Sequence, residues 1–124
     1  MWAYIAVAIG GVLGCWARFA MTNLVQTVYG RDFPLATLAI NVLACFLIGL
    51  IFVATVERWP ISPVLRIGML TGFIGGFSTF STFAMETVLL AEQGELGKSA
   101  LYVVLSLVLG LFAAAGGAYL ARAL

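Results

Sequence analysis

Two long stretches without a charged residue constrain the fold of this chain more than any other feature. They run from Phe33 to Val56 and from Ser99 to Ala121. Each exceeds the roughly 20 residues that a helix needs to cross the hydrocarbon core of a bilayer. Two further apolar stretches, from Met1 to about Tyr29 and from Pro63 to about Ala91, carry only one and two charges. The sequence therefore predicts an all-α membrane protein with four transmembrane helices.

The composition argues against several classes of function. Only 9% of the 124 residues are charged and 64% are hydrophobic, whereas a soluble domain carries roughly a quarter charged residues. We therefore expect most of the surface to contact membrane lipid. The formal net charge of +1 offers no basic surface to a nucleic-acid partner. The chain contains no histidine, no carboxylate pair and no phosphate-binding loop, so we expect no enzymatic activity.

Short polar connectors divide one domain into its spans. The spans are predicted at about 2–29, 34–57, 63–91 and 98–122. Ser62 followed by Pro63 is typical of a helix start, with serine at the N-cap and proline at the first helical position. No basic stretch precedes the first apolar segment, so we interpret it as a retained helix and not as a cleaved signal. Cys15 and Cys45 lie within apolar runs, and we expect both to be small buried side chains.

The basic residues give the chain no preferred orientation in the membrane. The side that holds both termini and the second connector has Arg58, Arg66 and Arg122. The opposite side has Arg18, Arg31 and Lys98. Orientation follows the difference in Lys and Arg between the two sides, and three against three leaves no difference. We therefore hypothesise that the chain inserts both ways and forms an antiparallel, dual-topology homodimer.

Glycines at four-residue spacing indicate close helix packing. Gly10 and Gly14 lie in the first span, and Gly68, Gly72 and Gly76 lie in the third. Such spacing suits contact between two subunits and packing within one subunit equally well. The spacing alone does not separate these two interpretations.

The third span contains the most unusual segment, residues 71–83 with the sequence TGFIGGFSTFSTF. Each of its glycines weakens a helix by about 1 kcal/mol relative to alanine. We expect the third helix to be broken at its middle, with the freed backbone groups lining a polar cavity. The half-helix after the break would direct its positive N-terminal end at that cavity, which favours an anion. The alternative is an ordinary helix whose hydroxyls bond back to the i−4 carbonyl and whose phenylalanines face lipid.

Several side chains are candidates to bind such an anion. Phe80 and Phe83 share a helix face, and the edge of a phenyl ring carries the positive part of its quadrupole. Asn41 is an intramembrane amide that either packs against another helix or faces a pore, because burying it without a partner costs a few kcal/mol. Tyr102 and Ser106 lie four residues apart and form a possible polar track on the fourth helix.

Arg18 and Glu86 are the two charges that lie well inside the spans, whereas Arg66 lies close to the start of the third. A charge at the bilayer centre costs roughly 2.5–3.5 kcal/mol, so each is a candidate for function. Each side chain could instead reach the membrane interface, or the two could pair. A cationic Arg18 near a pore mouth would concentrate anions there.

Together these residues resemble the Fluc/CrcB family of fluoride channels. The pattern is Gly10-x-x-x-Gly14-x-x-x-Arg18, then Asn41, then Gly75-Gly76-x-Ser78-Thr79-Phe80-Ser81-Thr82-Phe83 followed by Glu86, and it covers all four spans in order. The resemblance implies an antiparallel homodimer with two fluoride pores in a bacterial inner membrane. Such a channel passively exports fluoride from the cytoplasm and so confers fluoride resistance.

The resemblance also implies roles for individual residues. The fluoride pore would be lined by Asn41, Phe80, Ser81, Thr82, Phe83, Tyr102 and Ser106. Arg18 and Glu86 would be charges of the vestibule or of the scaffold. A structural sodium ion at the dimer centre would bind the backbone carbonyls of Gly75 and Ser78.

Two departures from the family pattern and two rival functions complete the sequence interpretation. Ser78 replaces a more usual threonine, which is immaterial if only its carbonyl binds sodium. Gly110 stands where some members carry another hydroxyl, so a third pore donor from this helix is not expected. A small multidrug transporter needs an acidic residue in its first helix, where this chain has Arg18. A non-transporting membrane scaffold would leave Asn41 and the repeated Ser-Thr-Phe triplet unexplained.

Overall fold

The computed structural model describes residues 1–124 and contains helices but no strands. The helices are helix 1 (Trp2–Tyr29), helix 2 (Leu35–Arg58), a third span (Pro63–Glu92) and helix 4 (Leu96–Ala123). Gly30 follows the last residue of helix 1, and its φ of 80° suits a glycine. All four are long and apolar enough to cross a membrane. The prediction of an all-α chain with four helices of transmembrane length is confirmed.

The third span changes its helical geometry along its length. It begins at Pro63, and the hydroxyl of Ser62 accepts a hydrogen bond from the Leu65 N–H at 3.2 Å. This N-cap confirms the prediction made from the Ser-Pro pair. Residues Gly68–Ile74 are π-helical, and one α-helical turn, Gly75–Phe77, follows them.

Two extended residues then separate this first part from a second helix. Ser78 has φ −75° and ψ 160°, and Thr79 has φ −155° and ψ 111°. The helix resumes at Phe80 and ends at Glu92. We refer to residues 63–77 as helix 3a and to residues 80–92 as helix 3b. The preceding glycines lower the helix propensity locally, which reduces the cost of leaving helical geometry at this point.

The helices pack in two close pairs, helix 1 with helix 3a and helix 2 with helix 4. A methyl group built on Gly10 or Gly14 would overlap carbonyl oxygens of helix 3a. A methyl group on Gly49 would overlap a carbonyl of helix 4, and one on Gly117 would overlap a carbonyl of helix 2. Only glycine allows the backbones to approach this closely. The glycine spacing of helix 1 therefore serves packing within one subunit.

Much of the outer surface is apolar and uncovered. Ile40 and Tyr102 are the largest fully buried side chains, whereas Trp16, Phe112 and Tyr119 are exposed. In a membrane protein such outward faces contact lipid or another subunit, because no water is present to penalise them.

The cysteines are less buried than expected. Cys15 is exposed and Cys45 is partly exposed, so the prediction that both are buried is wrong for Cys15. The physical reason is that its face of helix 1 borders an open cleft and not another helix.

At the end that holds the termini, polar contacts join helix 2 to helix 4. Arg122 donates from Nε and Nη2 to the two carboxylate oxygens of Glu57, both at 3.1 Å. Arg58 donates to the Arg122 carbonyl. Because this pair is exposed to solvent, which screens its charges, it contributes little to stability.

Candidate functional site

The interruption between helices 3a and 3b is fixed by the side chain of Asn41. The Thr79 N–H donates to Asn41 Oδ1 at 2.8 Å, and Asn41 Nδ2 donates to the Thr79 carbonyl at 3.0 Å. The amide thus pairs with both backbone groups of an extended residue, as a neighbouring strand would. Since a backbone N–H can only donate, this contact also fixes which amide atom is the oxygen.

Thr79 connects this contact to the start of helix 3b. Its Oγ1 accepts a hydrogen bond from the Thr82 N–H at 3.3 Å and donates to Thr82 Oγ1 at 2.9 Å. Threonine is a favoured N-cap residue because its oxygen pairs with an otherwise free helical N–H. Sequence reasoning did not assign Thr79 a role, although a threonine that follows helix-weakening glycines is a recognisable helix-start signal.

A cavity of about 220 Å³ lies between helices 2, 3b and 4. Eight residues line it: Asn41, Cys45, Ser78, Thr79, Phe80, Phe83, Ser106 and Leu107. We call it the phenylalanine cavity. The structure therefore brings together four residues that the sequence analysis assigned to a pore from three different spans: Asn41, Phe80, Phe83 and Ser106.

Ser106 leaves an unsatisfied polar group at this cavity. Its Oγ is the one buried side-chain oxygen or nitrogen of the chain without a hydrogen-bond partner. An unmade hydrogen bond of this kind costs about 1–3 kcal/mol. The hydroxyl can therefore offer its hydrogen to a molecule or ion in the cavity.

The aromatic rings of the cavity are oriented differently from one another. Phe80 and Phe83 have ring centroids 5.5 Å apart at 49°, and Phe83 meets Tyr102 edge-on at 5.1 Å and 65°. Phe83 is partly buried, whereas Phe80 is 77% exposed. One subunit thus surrounds Phe83 but leaves Phe80 largely uncovered.

A second, larger space lies on the other side of Thr79. This polar cleft has a volume of about 670 Å³, is open, and is bordered mainly by helices 1, 2 and 3b. Its lining residues are Cys15, Arg18, Phe19, Thr22, Asn23, Gln26, Thr37, Ile40, Thr79, Ser81, Thr82 and Glu86. Ser81 and Thr82, which the resemblance assigned to the pore, lie at this cleft and not at the phenylalanine cavity. Thr79 borders both spaces.

Arg18 and Glu86 both line the polar cleft, but they do not pair. Arg18 Nη1 donates to the Ser78 carbonyl at 3.5 Å, and Arg18 Nη2 donates to Cys15 Sγ at 3.8 Å. The ion pairs of the chain are Lys98–Glu95 and Arg122–Glu57, so the suggested Arg18–Glu86 pair is not formed. Arg18 therefore remains available as a positive charge at the cleft.

Glu86 and Tyr102 link the polar cleft to helix 4. The Tyr102 hydroxyl donates to Glu86 Oε1 at 3.4 Å. Tyr102 is fully buried and belongs to the lining of neither space. Ser106, one helical turn further along, does reach the phenylalanine cavity. The two residues of the predicted polar track thus have different surroundings.

The backbone at the break has oxygen atoms suitable for a cation. Neither Ser78 nor Thr79 donates to the Gly75 carbonyl, because the Ser78 N–H donates to Ile74 and the Thr79 N–H to Asn41. The Ser78 carbonyl has only the long contact with Arg18 described above. Carbonyls released from helical bonding at a discontinuous span are typical ligands of Na⁺. The two predicted carbonyls therefore fit sodium in chemical type, although one chain supplies too few ligands for a complete site.

Comparison with known proteins gives a consistent result across the chain. A family model described as "CrcB-like protein, Camphor Resistance (CrcB)" matches residues 5–118. A fluoride-specific ion channel FluC of Acidithiobacillus ferrooxidans is 53% identical over 116 residues, covering 94% of this chain and 93% of the relative. A protein of the same name from Geobacter sulfurreducens is 44% identical over 124 residues, covering 100% of both chains. Another from Stutzerimonas stutzeri is 44% identical over 117 residues, covering 94% of each.

Proposed function

Since this chain belongs to the CrcB-like protein family, we propose that it is a fluoride-specific ion channel that passively exports fluoride. Relatives that match nearly the whole chain are named as fluoride channels. The expectation that the chain is not an enzyme agrees with those names. The observation that carries the proposal is the phenylalanine cavity, where an unpartnered hydroxyl and two phenyl rings meet at a helix break.

The phenylalanine cavity offers fluoride a replacement for part of its hydration shell. Ser106 has a free hydroxyl hydrogen, and Asn41 retains one Nδ2 hydrogen beyond the one given to Thr79. The ring edges of Phe80 and Phe83 add weakly positive hydrogens. A small anion can approach several of these groups at once, whereas a larger one is held further from each. Selectivity for fluoride follows from this crowding of weak donors.

Fluoride would reach the phenylalanine cavity through the polar cleft. Arg18 gives the cleft a positive charge that attracts anions from solution. Ser81 and Thr82 place hydroxyls near the start of helix 3b, whose positive dipole end also favours an anion. Thr79 borders both spaces, so the route would pass beside it. Glu86 and Tyr102 would order the wall of this passage through their mutual hydrogen bond.

The channel would be an antiparallel homodimer with two pores. Phe80 is 77% exposed in a single subunit, and a second copy would enclose it and complete the wall of each pore. The equal numbers of basic residues on the two sides allow copies to insert in opposite orientations. Two such copies form a closed two-fold assembly whose axis lies in the membrane plane.

A sodium ion would hold this dimer together at its centre. The carbonyls of Gly75 and Ser78 lie at the break, and the same pair from a second copy would double the number of ligands. Sodium bound there would be structural, since it would neutralise carbonyl dipoles and fix the two breaks against each other.

The multi-pass chain would reside in a bacterial inner membrane, where fluoride efflux protects the cytoplasm. The test uses bacteria that lack their own fluoride exporter and express either this chain or its Asn41→Asp variant. We expect the wild-type chain to lower cytoplasmic fluoride and restore growth on fluoride-containing medium. Equal fluoride accumulation with the wild-type chain, the variant and an empty vector, despite membrane insertion, would contradict the proposal and favour a non-transporting scaffold.

A further inference from the structure

Helices 2 and 4 face each other in a register that continues beyond Ser106. Cys45 lies opposite Gly110, and Gly49 lies opposite Ala114. Asn41 and Ser106, one turn earlier on each helix, line the same cavity. The two helices therefore contribute residues in successive pairs, of which Cys45 and Gly110 form the pair after Asn41 and Ser106.

Helix 4 contributes no side chain to this next pair, and Cys45 is the nearest neighbour of the open place. A methyl group built on Gly110 would lie 3.4 Å from Cys45 Sγ and would meet no other atom within 4 Å. Cys45 also lines the phenylalanine cavity. The thiol thus lies beside the place that a side chain at position 110 would occupy.

The Cys45 thiol has a hydrogen that no other group of the chain accepts. The hydrogen bonds of the chain include Cys15 Sγ but not Cys45 Sγ. The neighbouring Ser106 lines the same cavity, and its Oγ is buried and also has no partner. Two unpartnered donors from facing helices therefore border one cavity.

We propose that Cys45 is a further residue of the fluoride path, whose S–H donates to the anion one helical turn beyond Ser106. Because helix 4 has a glycine at this level, Cys45 is the side chain of the pair that can supply a donor. This inference rests on the proposed fluoride conduction, which it extends by one step. A thiol is a weaker donor than a hydroxyl, so the anion is bound less tightly here than at Ser106 and can leave this position readily.

The test compares fluoride release from liposomes for substitutions at Cys45 on helix 2 and at Gly110 on helix 4. Cys45→Ala removes the donor, and we expect fluoride release about three- to tenfold slower, as for loss of one hydrogen bond. Cys45→Ser retains a donor and should release fluoride at least as fast as wild type. Cys45→Ala combined with Gly110→Ser supplies the donor from helix 4 and should restore release to within about twofold of wild type.

A matched control separates this role from simple space filling. Gly116 lies on the exposed side of helix 4 with nothing within 4 Å of an added methyl group. Cys45→Ala combined with Gly116→Ser should release fluoride as slowly as Cys45→Ala alone. Size-exclusion elution and the melting temperature of both variants are compared with wild type, to check that assembly and stability are unchanged. Wild-type rates for Cys45→Ala, equal slowing by Cys45→Ser, or equal rescue by Gly116→Ser would overturn the role of Cys45 while leaving fluoride conduction intact. Absence of fluoride release from the wild-type chain would instead overturn the proposed function and this inference together.

Discussion

Asn41 combines two roles that the sequence presented as alternatives. Its amide packs against another part of the chain, through two hydrogen bonds to Thr79, and it also borders the phenylalanine cavity. The contact uses the oxygen and one N–H hydrogen, which leaves the second hydrogen for a bound anion. The residue therefore positions the break and lines the candidate path at the same time.

Asn41→Asp should slow fluoride release at least tenfold. A carboxylate at this position faces the Thr79 carbonyl without a donor and repels an anion a few ångströms away by several kcal/mol. Asn23→Asp makes the same change at an exposed position of the polar cleft, and liposome efflux of both variants is the measurement. If both variants slowed efflux equally, a negative charge anywhere along the cleft would impede fluoride. Such a result would contradict a specific role for Asn41 in the fluoride path.

Replacing either ring of the phenylalanine cavity should also slow fluoride release. Phe80→Ile and Phe83→Ile keep an apolar side chain but remove the positive ring edge, and we expect each to slow efflux at least tenfold without dissociating the assembly. Phe112→Ile is the matched control, because Phe112 is 74% exposed and lines neither space. Efflux at the wild-type rate from both cavity variants would contradict a role for the ring edges in binding fluoride.

At the residue scale, the sequence indicated the types of side chain better than their partners. The intramembrane amide, the repeated Ser-Thr-Phe triplet and the intramembrane charge Arg18 are visible without a structure. The contact between Asn41 and Thr79 joins positions 38 residues apart in the chain, so no local pattern reveals it. The pore roles of the individual residues stay predictions until such variants are measured.

At the element scale, Thr79 controls the start of helix 3b. Thr79→Ala removes the N-cap oxygen, which costs about 1 kcal/mol of stability, and it also frees Thr82 next to the polar cleft. We expect fluoride efflux at least threefold slower and a lower melting temperature. Ser62→Ala removes a similar cap from helix 3a and should lower the melting temperature without changing efflux. Similar efflux for these two variants would contradict a special role for the second cap.

Glycine packing between helices 2 and 4 offers a test with adjacent residues. Gly117→Ala places a methyl group against the Phe46 carbonyl, and such overpacking destabilises a protein by about 1–3 kcal/mol. Gly116→Ala meets nothing within 4 Å and should gain up to about 1 kcal/mol from helix propensity. In detergent, the melting temperature should fall for Gly117→Ala and should rise slightly for Gly116→Ala. A lower melting temperature for Gly116→Ala than for Gly117→Ala would show that this helix contact is wrongly described.

The hydrophobicity of the sequence predicted which segments are helices, but it did not predict the geometry of those helices. Uninterrupted apolar stretches and the Ser62-Pro63 start are local signals, and the structure agrees with both. The π-helical segments Ala54–Arg58 and Gly68–Ile74 were not anticipated, because their hydrogen-bond pattern depends on packing against neighbouring helices. Glycines indicated close packing of helix 1, yet only the structure identifies helix 3a as its partner.

At the scale of the whole molecule, the balance of basic residues underlies the proposed assembly. Pairs of added lysines should bias insertion: Gln93→Lys with Gly97→Lys on one side, and Trp59→Lys with Pro60→Lys on the other. Each biased chain alone should lose most fluoride efflux, because antiparallel pairs become rare, and coexpression of both should restore it. C-terminal topology reporters provide the direct readout. More than nine tenths of wild-type copies in a single orientation would contradict dual topology.

The central claim is selective fluoride conduction, and paired ion release from one preparation of liposomes tests it most directly. Purified protein is reconstituted into vesicles loaded with both fluoride and chloride, and a potassium ionophore then clears the counter-charge while ion-specific electrodes record each anion. We expect rapid release of fluoride and no release of chloride above that of protein-free vesicles. Release of both anions at similar rates, or of neither from correctly assembled protein, would contradict the account.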